Sequence, residues 1–234
     1  MHELCYTSVP RHLRGGVGYG IAAHTRGMHQ DLVELLYTLS KYDRTNHNAL
    51  AYQSNPVGFS HLVAGPALQR VHVVSRIAAC PPDFSGRTNY IAHHLAFDGR
   101  ETAALRAGPA EVAATPGLFL EAWTGEARLL DPRSPPSSPS RAGAAMGPVD
   151  PGWVAVIAER ARQRGRTTFL LPPPGADLLA ILRRVLEMLP PEVRWSTTFT
   201  TYAHASFPGP AFSCQLQGIV AGTAFETEVR SRFR

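Results

Sequence analysis

The segment "LLDPRSPPSSPSRAGAAMGPVDPG", residues 129–152, limits the fold of this chain more than any other. Proline fixes φ and removes a backbone donor, and the Ser, Gly and Ala around it supply no periodic apolar pattern. Neither a helix nor an inner strand is expected to run through it. The charge balance shifts at the same place. Residues 1–131 hold 11 basic and 11 acidic side chains and residues 132–234 hold 12 and 7, so the net +5 lies in the second half. The sequence therefore predicts a β-rich N-terminal domain over 1–131, a linker or exposed loop over 132–151, and a smaller α/β domain over 152–234. A hydrophobic fraction of 44% in 234 residues is enough to bury a core.

In the first part, "ELCYTSV", "YGIAAHT", "ALAYQS", "VGFSHLVAG", "RVHVVSRIAAC" and "NYIAHHLAF" read as strands. "HQDLVELLYTLSKY" reads as a helix, because Leu32, Leu35, Leu36 and Leu39 recur at three- and four-residue steps. That pattern gives an α+β arrangement: an antiparallel sheet or partly open barrel with one main helix. In the second part, Pro151 suits the start of a helix over "PGWVAVIAERARQRG" and Gly165 its end. "TTFLL", the amphipathic "ADLLAILRRVLEML" and "RWSTTFTTY" then form one strand–helix–strand crossover with parallel strands. "AHASFPGPA" is expected to lead into an antiparallel partner, and the charged tail "ETEVRSRFR" to be frayed or contact-making.

Several function classes are disfavoured at once. No run of about 18 apolar residues suggests a membrane span, and the N-terminal stretch lacks a secretion pattern, so a cytoplasmic location is expected. Cys5, Cys80 and Cys214 form no C-x-x-C pair, which argues against a disulfide framework or a cysteine zinc site. The ten histidines show no metal-ligand spacing, and no phosphate-cradling G-x-x-x-x-G-K-[ST] is present. No metal and no cofactor are expected.

The chemically densest stretch is "PPDFSGRTNYIAHHLAFD", residues 81–98. Strand alternation puts His93 with Ile91, Leu95 and Phe97, and His94 with Tyr90, Ala92 and Ala96. Arg87 and Asn89 emerge where the turn meets the strand, within reach of Asp83. These groups form either a polar network that fixes the fold or a site. In the second case Arg87 binds an anion and His93 or His61 acts as base, with Asp83 as partner. A triad of Ser8 or Ser60 with His61 or His93 and Asp83 needs tertiary contacts, since Ser60 and His61 point to opposite faces. Arg160, Arg162, Arg164 and Arg166, with Arg183 and Arg184, form either a solvated face or a basic surface for an acidic partner. Few aromatics are interleaved there, which weakens a nucleic-acid reading.

The segments "CYTSVPRHLRGGVGYGIAAHTRGM", "PVGFSHLV" and "GRTNYIAHHLAFD" resemble the N-terminal domain of bacterial GTPase-associated proteins, encoded beside predicted GTPases in conflict systems. The matching positions are Tyr6, Thr7, Ser8, Gly18, Phe59, Ser60, His61, Gly86, Arg87, Asn89 and His93. Thr88 stands where the family often has a second glycine. "LEMLPPEVRWSTTFTTY" is similar to the family's middle region, as though the chain held the first two modules of a longer architecture. The resemblance implies an adaptor or regulatory partner of a GTPase-type switch in bacterial defence or signalling. A hydrolase-like enzyme on a phosphate-bearing or ester substrate, and a nucleic-acid-binding module, are the alternatives. On the adaptor reading Arg87, Asn89, His93, His61, Tyr6 and Ser8 make a polar or ligand-binding cluster, and the arginines meet the partner.

Overall fold

The computed structural model describes residues 1–65, 70–136, 149–163, 165–173, 175–203 and 214–232. Its strands are β1 (His2–Val9), β2 (Gly18–Thr25), β3 (Gly58–Val63), β4 (His72–Cys80) and β5 (Asn89–Phe97), then β6 (Arg128–Leu130), β7 (Thr168–Leu170), β8 (Phe199–Ala203) and β9 (Leu216–Ile219). They form one mixed sheet in the order β6-β2-β1-β5-β4-β3-β8-β9-β7. The five strands from β2 to β3 in that order pair antiparallel, whereas β6 joins β2 in parallel and β7, β9 and β8 run parallel to one another. The sheet is open rather than closed into a barrel. It continues across the two sides of the proline-rich segment, because β3 pairs antiparallel with β8 through Ser60↔Thr200 and His61↔Phe199.

Among the described residues there are seven α-helices: α1 (Gln30–Leu39), α2 (Gly99–Ala104), α3 (Pro109–Ala113), α4 (Pro151–Arg162), α5 (Leu178–Glu187), α6 (Pro191–Arg194) and α7 (Ala224–Arg232). The apolar stripe of α1 packs Leu32, Val33, Leu36 and Leu39 against Leu4, Ile21, Leu62 and Val73. On the opposite face α4 and α5 seal Phe199, Leu216 and Leu170 under Ile157, Ile181, Leu182 and Val185. Val112 of α3 and Phe119 cover Val74, Leu95 and Phe97. Strand β5 is flanked on both faces, so eight of its nine residues are buried, including all seven from Ile91 to Phe97. Each large side chain sealed this way contributes about 1.5–3 kcal/mol.

Two local expectations are corrected, and two further segments gain a defined element. "ALAYQS" is a 3₁₀ helix, Ala49–Ser54, rather than a strand. Asn48 caps Leu50 N at 3.0 Å, and Asn55 binds both the amide and the carbonyl of Asn46 at 2.8 and 2.9 Å. Such side chain–backbone bonds compete with a ladder and favour a turn. Arg128–Leu130, which overlaps the start of the proline-rich segment, forms the edge strand β6. β9 is parallel to β8, not antiparallel. The connection between them is about a dozen residues long, as a parallel crossover needs, and most of it lies outside the described residues. The charged tail forms α7, where Glu226–Arg230 and Glu228–Arg232 pair at i,i+4 and Val229 is buried. Most of the predicted linker, residues 137–148, lies outside the described residues.

Candidate functional site: a cleft beside the Asp83 turn

The turn that precedes β5 is built around one carboxylate. Asp83 Oδ1 accepts from Ser85 N at 2.9 Å, Ser85 Oγ at 2.7 Å and Arg87 N at 3.0 Å. Its Oδ2 accepts from Ser8 Oγ at 2.8 Å and from the Arg87 guanidinium at 3.3 Å. The Asp83 side chain is 2% exposed although the loop stands at the surface. Burial alone pushes this carboxyl upward, but the bonds from Ser85, Ser8 and Arg87 outweigh it and hold Asp83 well below the usual carboxylate range. Gly86 takes the positive φ of 79° that the turn requires. Asn89 continues the stitching: its Oδ1 accepts from Ser8 N at 3.3 Å and Tyr90 N at 2.9 Å, 3.2 Å from Thr7 Oγ1. Ser8, Asp83, Arg87 and Asn89 are thus brought together, and of the four only Arg87 keeps its charged end largely in solvent.

Beside this turn opens a cleft of about 930 Å³, walled by residues of Ser8–Leu13, Cys80–Phe84 and Ala122–Ala127. Burial raises the Cys80 thiol in its wall to about 11, so it stays protonated at neutral pH. His12 and Trp123 also line the cleft, and the sequence reading missed both. Arg128 stacks on Trp123 at 4.6 Å. The His12 ring lies on two glycines: a Cβ added at Gly20 would sit 2.3 Å from His12 Cγ, and one at Gly16 would sit 2.4 Å from Nε2. The glycine-rich turn "HLRGGVGYG" is therefore a seat for a histidine, and glycines four and eight residues after His12 were the available signal. Gly20→Ala should displace the ring and cost roughly 1–3 kcal/mol. Urea unfolding would read the loss, and a changed His12 proton resonance would place it.

The predicted histidines lie elsewhere, in three separate networks. His93 lies 3.0 Å from Glu3 Oε2 through Nε2, and its Nδ1 accepts from Leu120 N at 3.0 Å. The amide bond requires a lone pair on Nδ1, so the proton sits on Nε2 and is donated to Glu3. Burial lowers the His93 pKa, the Glu3 carboxylate opposing it only in part. Burial likewise pushes Glu3 up, but His93 and Arg133, the latter at 2.9 Å, bring it below its ordinary value. His94 bridges Ser40 Oγ at 2.9 Å and Ser75 Oγ at 2.7 Å. Ser40 already donates to Leu36 O, so His94 Nε2 donates to Ser40 and Ser75 donates to Nδ1. His61 donates through Nδ1 to Thr197 O at 2.8 Å, leaving Nε2 to accept from His72 Nδ1 at 3.2 Å. Trp195 meets both rings of that pair edge-on at 5.4 and 5.3 Å. Desolvation by burial lowers His61 and His94 to about 3 and His72 to about 4. Ser8 gives its hydroxyl hydrogen to Asp83 and not to a histidine.

Tyr6 belongs to a fourth group, unforeseen from sequence. It packs with Tyr19, Tyr37 and Tyr90 at 5.5–6.1 Å, and Tyr90 passes the chain through Tyr42 to Tyr202. Among the arginines, Arg162 pairs with Glu159 and Arg184 with Glu187, whereas Arg183 is buried. Arg160 and Arg166 line a common cavity, and Arg164 lies outside the described residues. Among the described residues no group of three or more His, Cys, Asp or Glu could hold a metal ion, and no helix is long and apolar enough to cross a membrane.

Two family descriptions match this chain. GTPase-associated protein 1, N-terminal domain type 2, matches residues 1–136, and GTPase-associated protein 1, middle domain, matches residues 141–233. No curated protein and no solved structure matches it. With both matches in hand, spanning nearly every residue from the first strand to the last helix, the chain belongs to the GTPase-associated protein 1 family.

Proposed function

We propose that the protein is an interaction component, an adaptor, that works with a GTPase-type switch in a cytoplasmic bacterial defence or signalling system. One observation carries this reading beyond the family's name. The polar groups of the motif-bearing segments are spent on the fold: the His61, His93 and His94 nitrogens all have protein partners, both Asp83 oxygens are held by the turn and Ser8, and Asn89 Oδ1 accepts from the Ser8 and Tyr90 amides. Such groups make a rigid platform rather than a poised acid–base pair. A second reading, an enzyme acting on a phosphate-bearing or ester substrate, has the 930 Å³ cleft in its favour. His12 lines it and Arg87 stands in solvent on the adjoining turn, whereas His61 and His93 are buried away from it.

The test is recovery of tagged protein from its native host with GDP, with a non-hydrolysable GTP analogue, or with neither. The adaptor reading predicts a stoichiometric GTPase whose recovery changes at least several-fold between the two nucleotides. A preparation that recovers no GTPase under any of the three conditions would overturn it.

A further inference from the structure

The cleft beside the Asp83 turn keeps donors that the fold does not use. Asn89 lines it and is only 7% exposed. Its Oδ1 accepts from the Ser8 and Tyr90 amides at 3.3 and 2.9 Å, which fixes the other end of the group as the NH2. Among the described residues that Nδ2 has no partner, yet it is not sealed from solvent. His12 supplies a second donor from the Ser8–Leu13 wall. Its Nδ1 accepts from Arg14 N at 3.2 Å, so the proton of the neutral ring sits on Nε2, again without a partner among the described residues. The acceptors around them are occupied. Both Asp83 oxygens and Asn89 Oδ1 are bonded, and Ser8 has given its hydrogen to Asp83.

That imbalance selects a ligand. An ordinary extended peptide carries as many N–H groups as carbonyls, and against this inner wall its N–H groups would be left unpaired. A polyproline II segment offers carbonyls and, at its prolines, no N–H at all. Its rings need an apolar wall. Phe84, 53% exposed with no ring packed on it among the described residues, provides one together with Trp123. Pro10, Pro81 and Pro82 hold two of the three walls at fixed φ, so the cleft is open before a ligand arrives. Charge narrows the choice further. Arg11 and Glu126 line the cleft from different walls, both exposed and neither paired among the described residues. With Asp83 also in the wall, a multiply charged anion meets two carboxylates, which disfavours phosphate compounds. A neutral backbone with one cationic flank for Glu126 fits.

We infer that the cleft is a docking groove for a proline-rich, polyproline II segment of a partner protein, with an arginine or lysine at one end. Asn89 Nδ2 and His12 Nε2 donate to the segment's carbonyls, its proline rings pack on Phe84 and Trp123, and its cation pairs with Glu126. The inference rests on the adaptor reading for its biological use, giving the cleft a role without chemistry, but the groove is testable without it.

The probe is a set of fluorescein-labelled 12-residue peptides with prolines at P-x-x-P spacing and a terminal Arg, titrated against the full chain. The same peptides with alanine for proline, the same peptides with Glu for the Arg, and pyrophosphate alone serve as comparisons. The expected result is binding that weakens at least tenfold when alanine replaces proline and several-fold with the Glu flank. Phe84→Ala should weaken it several-fold, and Glu126→Arg should erase or reverse the preference between flanks. Both side chains are exposed, so both variants should keep the wild-type melting temperature. In proton–nitrogen spectra the Asn89 side-chain amide should shift on adding the proline peptide and not on adding pyrophosphate. Absence of proline-peptide binding, equal binding of the alanine peptides, or an Asn89 shift caused by pyrophosphate overturns the groove. In the host experiment, a GTPase recovered equally by wild type and F84A/E126R overturns the groove and leaves the adaptor reading standing. Proline-peptide binding without any recovered GTPase does the reverse.

Discussion

The protein should lose most of its stability between pH 6.5 and pH 4.5, before most of its carboxylates titrate. His61 and His94 are sealed as neutral imidazoles with folded pKa values of about 3, against an ordinary 6.5. Below pH 6.5 the unfolded chain takes up protons that the folded chain refuses, so stability falls as pH falls. It levels off for each group only near that group's folded value. At pH 5 these two residues together remove about 4 kcal/mol, a large share of the 5–15 kcal/mol typical of a domain. His72, nearer the surface with a value of about 4, adds a smaller amount in the same window. His93, also lowered by burial, acts in the same direction. Asp83 and Glu3 are also held below their ordinary values of 3.8 and 4.5, so they too lose stability as pH falls, but at lower pH than the histidines. Urea melts at half-unit pH steps should show this decline beginning near pH 6.5. A midpoint constant from pH 7 down to pH 4.5 would contradict it.

Replacing His94 should be the most damaging single change among the polar residues. His94→Leu keeps roughly the volume but strands the Ser75 hydroxyl, which has donated to Nδ1, and removes the donor to Ser40. Both serines are essentially sealed from water. An unpaired buried hydroxyl costs about 1–3 kcal/mol, so a loss of about 3–5 kcal/mol is expected once packing mismatch is included. The asymmetry supplies the control. H94L/S75A removes both partners of one bond and should recover at least about 1 kcal/mol relative to His94→Leu. A double variant that is no more stable than the single one would show that packing, not the unpaired hydroxyl, carries the cost.

How much of this was legible beforehand follows from what each feature depends on. The β5 alternation and the α1 and α5 stripes are local, and "NYIAHHLAF" placed His93 and His94 on their observed faces. Bonds inside the Asp83 turn span four residues or fewer and were legible for the same reason. The histidine partners were not, because His94 meets Ser40 across 54 residues and His61 meets Thr197 across 136. Only the strand order brings those groups together. The short helices α2 and α3 carry too few residues for a period, although Asp98 and Glu101 form a capping box that was open to view. The single sheet was hidden for another reason: a proline-rich segment forbids an element through itself, yet leaves the strands on either side free to pair.

The central claim is that the histidines of the motif-bearing segments are fixed parts of the fold rather than free bases. Long-range proton–nitrogen NMR of the imidazole rings at pH 7 tests it most directly. Neutral rings in single tautomers are expected at pH 7, protonated on Nδ1 in His61 and on Nε2 in His93 and His94, with His61 and His94 showing no titration down to pH 5.5 while the protein stays folded. Rings that average between tautomers, or that titrate near 6.5 in the folded protein, would contradict it.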